Sequence, residues 1–270
     1  MKIVGIVSLV FVALKLTISV LKGFWTTFLG YKLGFGIEWK AGDNVWAVVT
    51  GATDGIGLQY AKQMAQKAYN LVIISRNEDK LMATQKSLLN DYKDCKQDLY
   101  GSQMNETYFN VNMFSYLKLI EIVLPKMVDR KRGIVINISS QTAITPVPLM
   151  TTYAATKAFI RFLSDGLSVE YEGKGVTIQT VMPSMTKTKL LHESNESSVW
   201  TVGADEFVSA AIQTVGIEST TYGHWKHKLL SYAVHCVIGL IGQRLVAQMA
   251  HKVMKQSRDH FYLMNSSKNK

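Results

Sequence analysis

Three side chains in this 270-residue chain have the types and spacing for carbonyl chemistry. Tyr153 and Lys157 stand four apart, so on a helix they share a face. Ser140 follows an apolar run, Gly133–Ile138, whose strand-like end would bring it opposite that pair. A phenol titrates near 10, and lowering it to about 7 takes roughly 4 kcal/mol. One ammonium at about 4 Å, in an effective dielectric of 20, supplies that order of energy. Lys157 is therefore expected to make Tyr153 acidic enough to protonate a ketone oxygen held by Ser140. Such a proton transfer accompanies hydride transfer from a nicotinamide.

The Tyr-x-x-x-Lys spacing is weak by itself, since Tyr92/Lys96 and Tyr222/Lys226 repeat it. Context separates them. Asp79, not serine, occupies the matching place before Tyr92. Ser209 stands correctly before Tyr222 but inside the helical pattern Ala204–Val215, and Gly223 interrupts any helix after Tyr222. Only Tyr153 has a serine at a strand end and a helical run behind it.

The elements that must position these groups are also legible. Val45–Thr50 is a buried-strand pattern running into Gly51-Ala52-Thr53-Asp54-Gly55-Ile56-Gly57, and Leu58–Ala68 is helical. Strand, glycine turn and helix make a phosphate cradle, because glycine lets backbone approach a ligand and a helix N-terminus attracts anions. The candidates there are Gly51, Thr53, Gly55, Ile56 and Gly57. A second strand, Leu71–Ser75, ends in Arg76. Ser75 and Arg76 stand where a carboxylate would bind the ribose of NAD, and a guanidinium suits a 2′-phosphate, which favours NADP(H). The alternative is that Arg76 pairs with Glu78 or Asp79 at the surface.

Further on, Glu78–Lys93 reads as a charged helix and Asp94–Asn105 as a short polar stretch. A long helical pattern runs through Asn112 to about Val128, with Pro125 as a candidate kink. Gly173–Gly175 turns into the strand Val176–Val181, followed by Pro183 and a loop, Met185–Trp200, that is either a substrate lid or an ordinary connection. Lys252–Lys270 reads as a polar, basic tail.

Ile3–Leu21 is almost wholly apolar but for Lys15, and an aromatic stretch from Phe24 to Trp39 follows. About 20 apolar residues span a bilayer, so this is either a membrane anchor or a buried or interfacial helix. Leu229–Gly242 is apolar but too short to span comfortably. Three regions result: an anchor and interfacial segment (1–40), a nucleotide-binding and catalytic domain (41–228), and an apolar segment with its tail (229–270).

The formal charge of +10 and 47% hydrophobic content fit an anionic partner: a phosphorylated cofactor, a coenzyme A thioester or an acidic membrane face. A generally solvated basic surface is the bland alternative. No basic stripe with interleaved aromatics argues for nucleic acid. Cys95 and Cys236 lack metal spacing and read as free thiols in a reducing compartment.

Thr50–Gly57, Asn112, Ser140, Tyr153 and Lys157, in this order, resemble the short-chain dehydrogenase/reductase family from about Val45 to Leu190. Trp46–Thr50, Asn137–Ser140, Pro146–Pro148 and the apolar N-terminus resemble its membrane-bound 17-beta-hydroxysteroid dehydrogenase / very-long-chain 3-oxoacyl-CoA reductase subgroup. The resemblance implies a Rossmann-like α/β fold with a doubly wound parallel sheet behind an N-terminal anchor helix. It makes Tyr153 the general acid and Lys157 the group that contacts the nicotinamide ribose. Ser140 becomes the carbonyl's partner, Asn112 the holder of a water linked to Lys157, and Pro183 and Thr188 the residues at the nicotinamide end. It further implies NADP(H), a lipophilic steroid or 3-oxoacyl substrate, a cytosolic face of the endoplasmic reticulum membrane, and dimer faces on the helices of Asn112 and Tyr153.

Two departures stand out. Ser184 replaces the usual glycine after the proline. Between Arg76 and Asn112 the chain is also roughly forty residues shorter than the family pattern, while a strand–helix–strand unit takes about 30 or more. The third and fourth family strands are therefore expected to be missing. That opens a rival reading: a catalytically weak relative acting as a membrane-associated binding or interaction protein.

Overall fold

A computed structural model describes residues 10, 13–14, 17–18, 20–39, 42, 45–75, 77–92, 97–101, 110–188 and 198–268. The chain runs β1 (Trp46–Thr50), α1 (Gly55–Gln66), β2 (Asn70–Ser75), α2 (Glu78–Asp91) and β3 (Gln97–Gly101). A π-helical turn, Asn110–Phe114, leads into α3 (Ser115–Asp129). Then come β4 (Gly133–Ile138), a 3₁₀ turn at Gln141–Ala143, α4 (Thr151–Glu170) and β5 (Val176–Val181). Short strands β6 (Thr186–Lys187) and β7 (Val202–Gly203), helix α5 (Ala204–Ile212) and strand β8 (Thr220–Thr221) precede α6 (Trp225–Ile241) and α7 (Gln243–Lys268).

Alternating strands and helices give an α/β fold, and every ladder is parallel. β1 pairs with β2 in register Val48↔Val72, and β2 pairs with β3 in register Ile73↔Leu99. β4 pairs with β5 in register Ile136↔Gln179, and β5 with β8. These are two separate three-stranded sheets, β1-β2-β3 and β4-β5-β8.

This corrects one expectation. A third strand is present: Gln97–Gly101 takes the open edge of β2, where a polar sequence is tolerated. Among the described residues, no strand lies between β1 and β4.

The main core joins the two sheets. Leu71, Ile73, Ala61, Met64 and Leu81 from the first half pack in one cluster with Val181, Phe207, Val208 and Ala211 from the second. Burying each such large side chain contributes about 1.5–3 kcal/mol. Pro125 sits inside α3 without ending it. The polar, basic C-terminal tail is helical to Lys268.

The N-terminal segment is pinned to α6. Lys228 Nζ donates to both oxygens of Glu218 at 2.8 and 3.0 Å and also to the Thr26 hydroxyl, all in buried surroundings. No helix among the described residues is long and apolar enough to cross a membrane. Much of Ile3–Leu21 lies outside them.

Candidate active site

α4 puts Tyr153 and Lys157 on one face, as their spacing requires. Lys157 Nζ lies 5.7 Å from the centroid of the Tyr153 ring and donates to the Ile138 carbonyl at 3.1 Å. Burial lowers the Lys157 pKa to about 8, which leaves the ammonium charged at neutral pH. The Ile138 carbonyl also accepts from Tyr116 Oη at 3.3 Å. Burial pushes the Tyr116 phenol up to about 12, so it stays a neutral donor.

Ser140 ends the loop after β4 and caps the 3₁₀ turn, its Oγ accepting from Thr142 N–H at 3.2 Å. That turn packs against α4, so the serine and the Tyr153 helix meet at the carboxyl end of the second sheet. Ser139 ties the two together: its Oγ donates to the Lys157 carbonyl at 2.7 Å, and its N–H donates to Val181 O at 2.8 Å. Asn112 sits in the π-helical turn and donates through Nδ2 to Thr156 Oγ1 at 3.0 Å. Thr156 in turn donates to the Tyr153 carbonyl at 2.8 Å. One chain of bonds thus runs from the turn before α3 to the tyrosine's own backbone.

The glycine turn lies at the matching end of β1. Gly51 and Gly55 have φ of +65° and +54°, a region that disfavours side chains. A Cβ on Gly57 would sit 2.3 Å from Gly51 O, so only glycine fits there, whereas the space over Gly51 is open to 4 Å. Asp54 Oδ1 accepts from Gly55 N–H at 2.8 Å and starts α1, which carries Ile56 in its first turn. This cradle fits a dinucleotide pyrophosphate, with backbone approach at Gly51 and a helix N-terminus behind it. Thr53 Oγ1 and Ser75 Oγ share a 2.9 Å hydrogen bond across the ends of β1 and β2. Arg76, the candidate for a 2′-phosphate, lies outside the described residues.

Thr188 connects the two halves of the site. A Cβ built on Gly55 would meet Thr188 Cγ2 at 3.0 Å, so the loop after β5 folds back onto the glycine turn. Pro183 is buried, and its carbonyl accepts from Gln141 N–H at 2.9 Å. His227 of α6 holds the same loop: Nδ1 accepts from Ser184 N–H and Nε2 faces Met185 O, both at 3.3 Å. Burial first of all lowers the His227 pKa to about 4, so the ring is neutral and can serve one donor and one acceptor. The lid expectation for Met185–Trp200 lies mostly outside the described residues, which omit 189–197. Among the described residues there is no metal-ligating cluster.

A model of the short chain dehydrogenase family matches residues 45–107 and 96–198, covering both the glycine turn and the Ser140–Tyr153–Lys157 group. The chain belongs to the short-chain dehydrogenase family. Curated relatives include the mouse very-long-chain 3-oxoacyl-CoA reductase, 32% identical over an alignment of 312 residues that covers 98% of this chain and 96% of the mouse protein. The chicken hydroxysteroid dehydrogenase-like protein 1 is 32% identical over 68% of this chain and 69% of its own. Among solved structures, a 7beta-hydroxysteroid dehydrogenase superposes with a TM-score of 0.65 at 20% identity, covering 71% of this chain and 92% of its own. A short-chain dehydrogenase from Sphingobium yanoikuyae, in complex with NADPH, has a TM-score of 0.59 at 22% identity, over 72% and 95%.

Sequence reasoning missed four residues of this short-chain dehydrogenase site: Ser139, Thr156, Tyr116 and His227. The doubled serine and the threonine between Tyr153 and Lys157 were visible signals. Tyr116 and His227 gave none, because their partners are backbone carbonyls and amides brought together only by the fold.

Proposed function

We propose that this chain is an NADP(H)-dependent oxidoreductase that interconverts a ketone and an alcohol on a lipophilic substrate, a 3-oxoacyl thioester or a steroid. The observation that carries the proposal is the Lys157 ammonium beside the Tyr153 ring, in the half of the site that Thr188 joins to the glycine turn. Bound there, NADPH supplies hydride to the carbonyl carbon. Ser140 Oγ holds the carbonyl oxygen, and Tyr153 Oη gives it a proton. Lys157 stabilises the resulting phenolate and is itself oriented by Ile138 O. Asn112 and Thr156 fix the start of the Tyr153 helix. The cradle of Gly51, Thr53, Gly55, Ile56 and Gly57 takes the pyrophosphate. Ser75 and Arg76 take the 2′-phosphate side, and Pro183 and Thr188 the nicotinamide side.

The lipid setting is part of the proposal. The segment from Phe24 to Phe35 leaves several aromatic side chains exposed, and it is pinned to α6, whose Trp225, Leu229 and Leu240 are exposed as well. Exposed apolar surface of this kind suits the cytosolic face of the endoplasmic reticulum membrane. Phe162 on α4 and Ile122 on α3 are also exposed, which supports a homodimer through those helices.

The break between the two sheets favours a second reading. A shortened relative that binds NADPH and turns over poorly would act as a membrane-associated binding protein. Purified full-length chain given NADPH with a panel of 3-oxoacyl-CoAs and oxo-steroids separates the two. Oxidation of NADPH with one panel member supports the reductase. Tight NADPH binding without oxidation on any member supports the second reading.

A further inference from the structure

A cavity of about 700 Å³ lies between the facing edges of β1 and β4 rather than at the chemistry. β1 and β4 line two of its sides, and Leu119, Ile120, Val123 and Met127 of α3 line it as well. Asn70 N–H donates to Val45 O at 3.1 Å and Gly51 N–H to Ile74 O at 2.8 Å. Odd-numbered β1 residues therefore bond to β2, and in a parallel ladder the residues between them turn their N–H and C=O the other way. Trp46, Val48 and Thr50 thus present theirs to the cavity. On β4, Gly133 N–H and Ser139 N–H donate to Gly175 O and Val181 O. By the same alternation Ile134, Ile136 and Ile138 face the cavity. The bonds from Lys157 and Tyr116 to Ile138 O arrive from that side.

Both walls run in one direction, because the turn after β1 and the loop after β5 meet at Gly55 and Thr188. Strands of a parallel sheet are normally covered on both faces, yet Trp46 and Val48 are 40% and 48% exposed. Two further groups point to something absent. Tyr60 Oη and Trp39 Nε1 line this cavity, are buried, and have no hydrogen-bond partner among the described residues. Burial pushes the Tyr60 phenol upward, so it is a neutral donor in need of an acceptor.

Rows of alternating donors and acceptors on two opposed parallel walls match one chemistry, a polypeptide backbone extended between them. An acyl chain would fill the volume and leave both rows unpaired, at a cost of about 1–3 kcal/mol per buried group. The relatives indicate which polypeptide. The mouse alignment is 312 residues long against 270 in this chain, so at least 42 of its positions are filled by the mouse protein alone. The family model matches in two pieces that overlap at residues 96–107, across β3 and the start of the connection to α3. A block placed there falls, in chain order, between the two strands that line the cavity.

We propose that this cavity is a strand-acceptor site. It takes, from a partner polypeptide, one extended apolar segment of about six residues, roughly 20 Å long. The segment runs parallel to β1 and pairs with Trp46, Val48 and Thr50 on one side and with Ile134, Ile136 and Ile138 on the other. The partner is a chain that carries the block this one lacks, supplied in trans as in strand addition to an open edge. The site does not depend on the redox reading, because its readout is backbone pairing.

The test is hydrogen exchange on the full chain, with synthetic peptides tiled across the block that the mouse relative alone fills. One peptide is expected to bind saturably and to slow exchange at least tenfold at the amides of Trp46, Val48, Thr50, Ile134, Ile136 and Ile138. The same peptide with proline at alternate positions, lacking the donors for one wall, is expected to lose that protection. No protection by any tile would overturn the proposal. So would equal protection by the proline version or by palmitate, either of which would make the cavity an apolar pocket.

Discussion

Lys157 Nζ stands 5.7 Å from the centre of the Tyr153 ring and bonds at 3.1 Å to the Ile138 carbonyl, so one backbone oxygen aims the cation at the phenol. The pairing arises because helix α4 begins where strand β4 ends. The helix supplies the four-residue spacing and the strand end supplies the acceptor.

The pH dependence of turnover follows from that cation. Burial holds the Lys157 pKa at about 8. As pH rises through about 8 the ammonium is lost, and kcat is expected to fall about tenfold per unit. The effect on stability has its own sign. The folded state binds fewer protons than the unfolded chain between about 8 and the ordinary 10.5, so this group's contribution improves with rising pH across that window. Lys157→Met is expected to lower kcat to a level independent of pH, and to raise Tm at pH 7. A Tm below that of the parent at pH 7 would show that the cation's bonds outweigh its desolvation.

The glycine turn gives a binding prediction. In Gly57→Ala the new methyl meets Gly51 O at 2.3 Å and must push the turn open. NADPH affinity, measured by fluorescence titration, is expected to fall at least tenfold, about 1.4 kcal/mol. An unchanged affinity would mean that this turn does not hold the cofactor.

The acid limb belongs to His227. Its folded pKa of about 4 lies below the ordinary 6.5. The stability it contributes is complete above 6.5 and is lost as pH falls through that window toward 4. The loss amounts to roughly 3 kcal/mol at its limit. His227→Gln is expected to flatten the fall in Tm between pH 6.5 and 4, and to raise the KM for NADPH at pH 7 by loosening the loop with Pro183 and Thr188. A Tm profile parallel to the parent's would remove His227 from this role.

Much of the site was legible because chemistry of this kind fixes local spacing. The helix fixes the Tyr153–Lys157 interval, and the glycine turn needs its residues in one contiguous run. The third strand was not legible: Gln97–Gly101 is polar, and only the open edge of β2 makes it a strand. His227 was hidden for a related reason, since its partners are backbone groups of Ser184 and Met185 that no sequence pattern marks.

Lys228 and Glu218 form a buried pair that also holds Thr26, and through it the N-terminal segment. Lys228→Met leaves Glu218 buried without its partner and is expected to cost about 3–5 kcal/mol in chemical denaturation. The double variant with Glu218→Leu is expected to recover most of that loss. Full additivity of the two single effects would show that the residues do not act as a pair.

The most direct measurement is the turnover of Tyr153→Phe beside its affinity for NADPH, on the full chain with a 3-oxoacyl-CoA as substrate. Loss of one hydroxyl is expected to lower kcat by about 10²–10⁴-fold while NADPH binds within twofold of the parent. Turnover that survives the substitution, or that disappears only because NADPH no longer binds, would contradict Tyr153 as the proton donor.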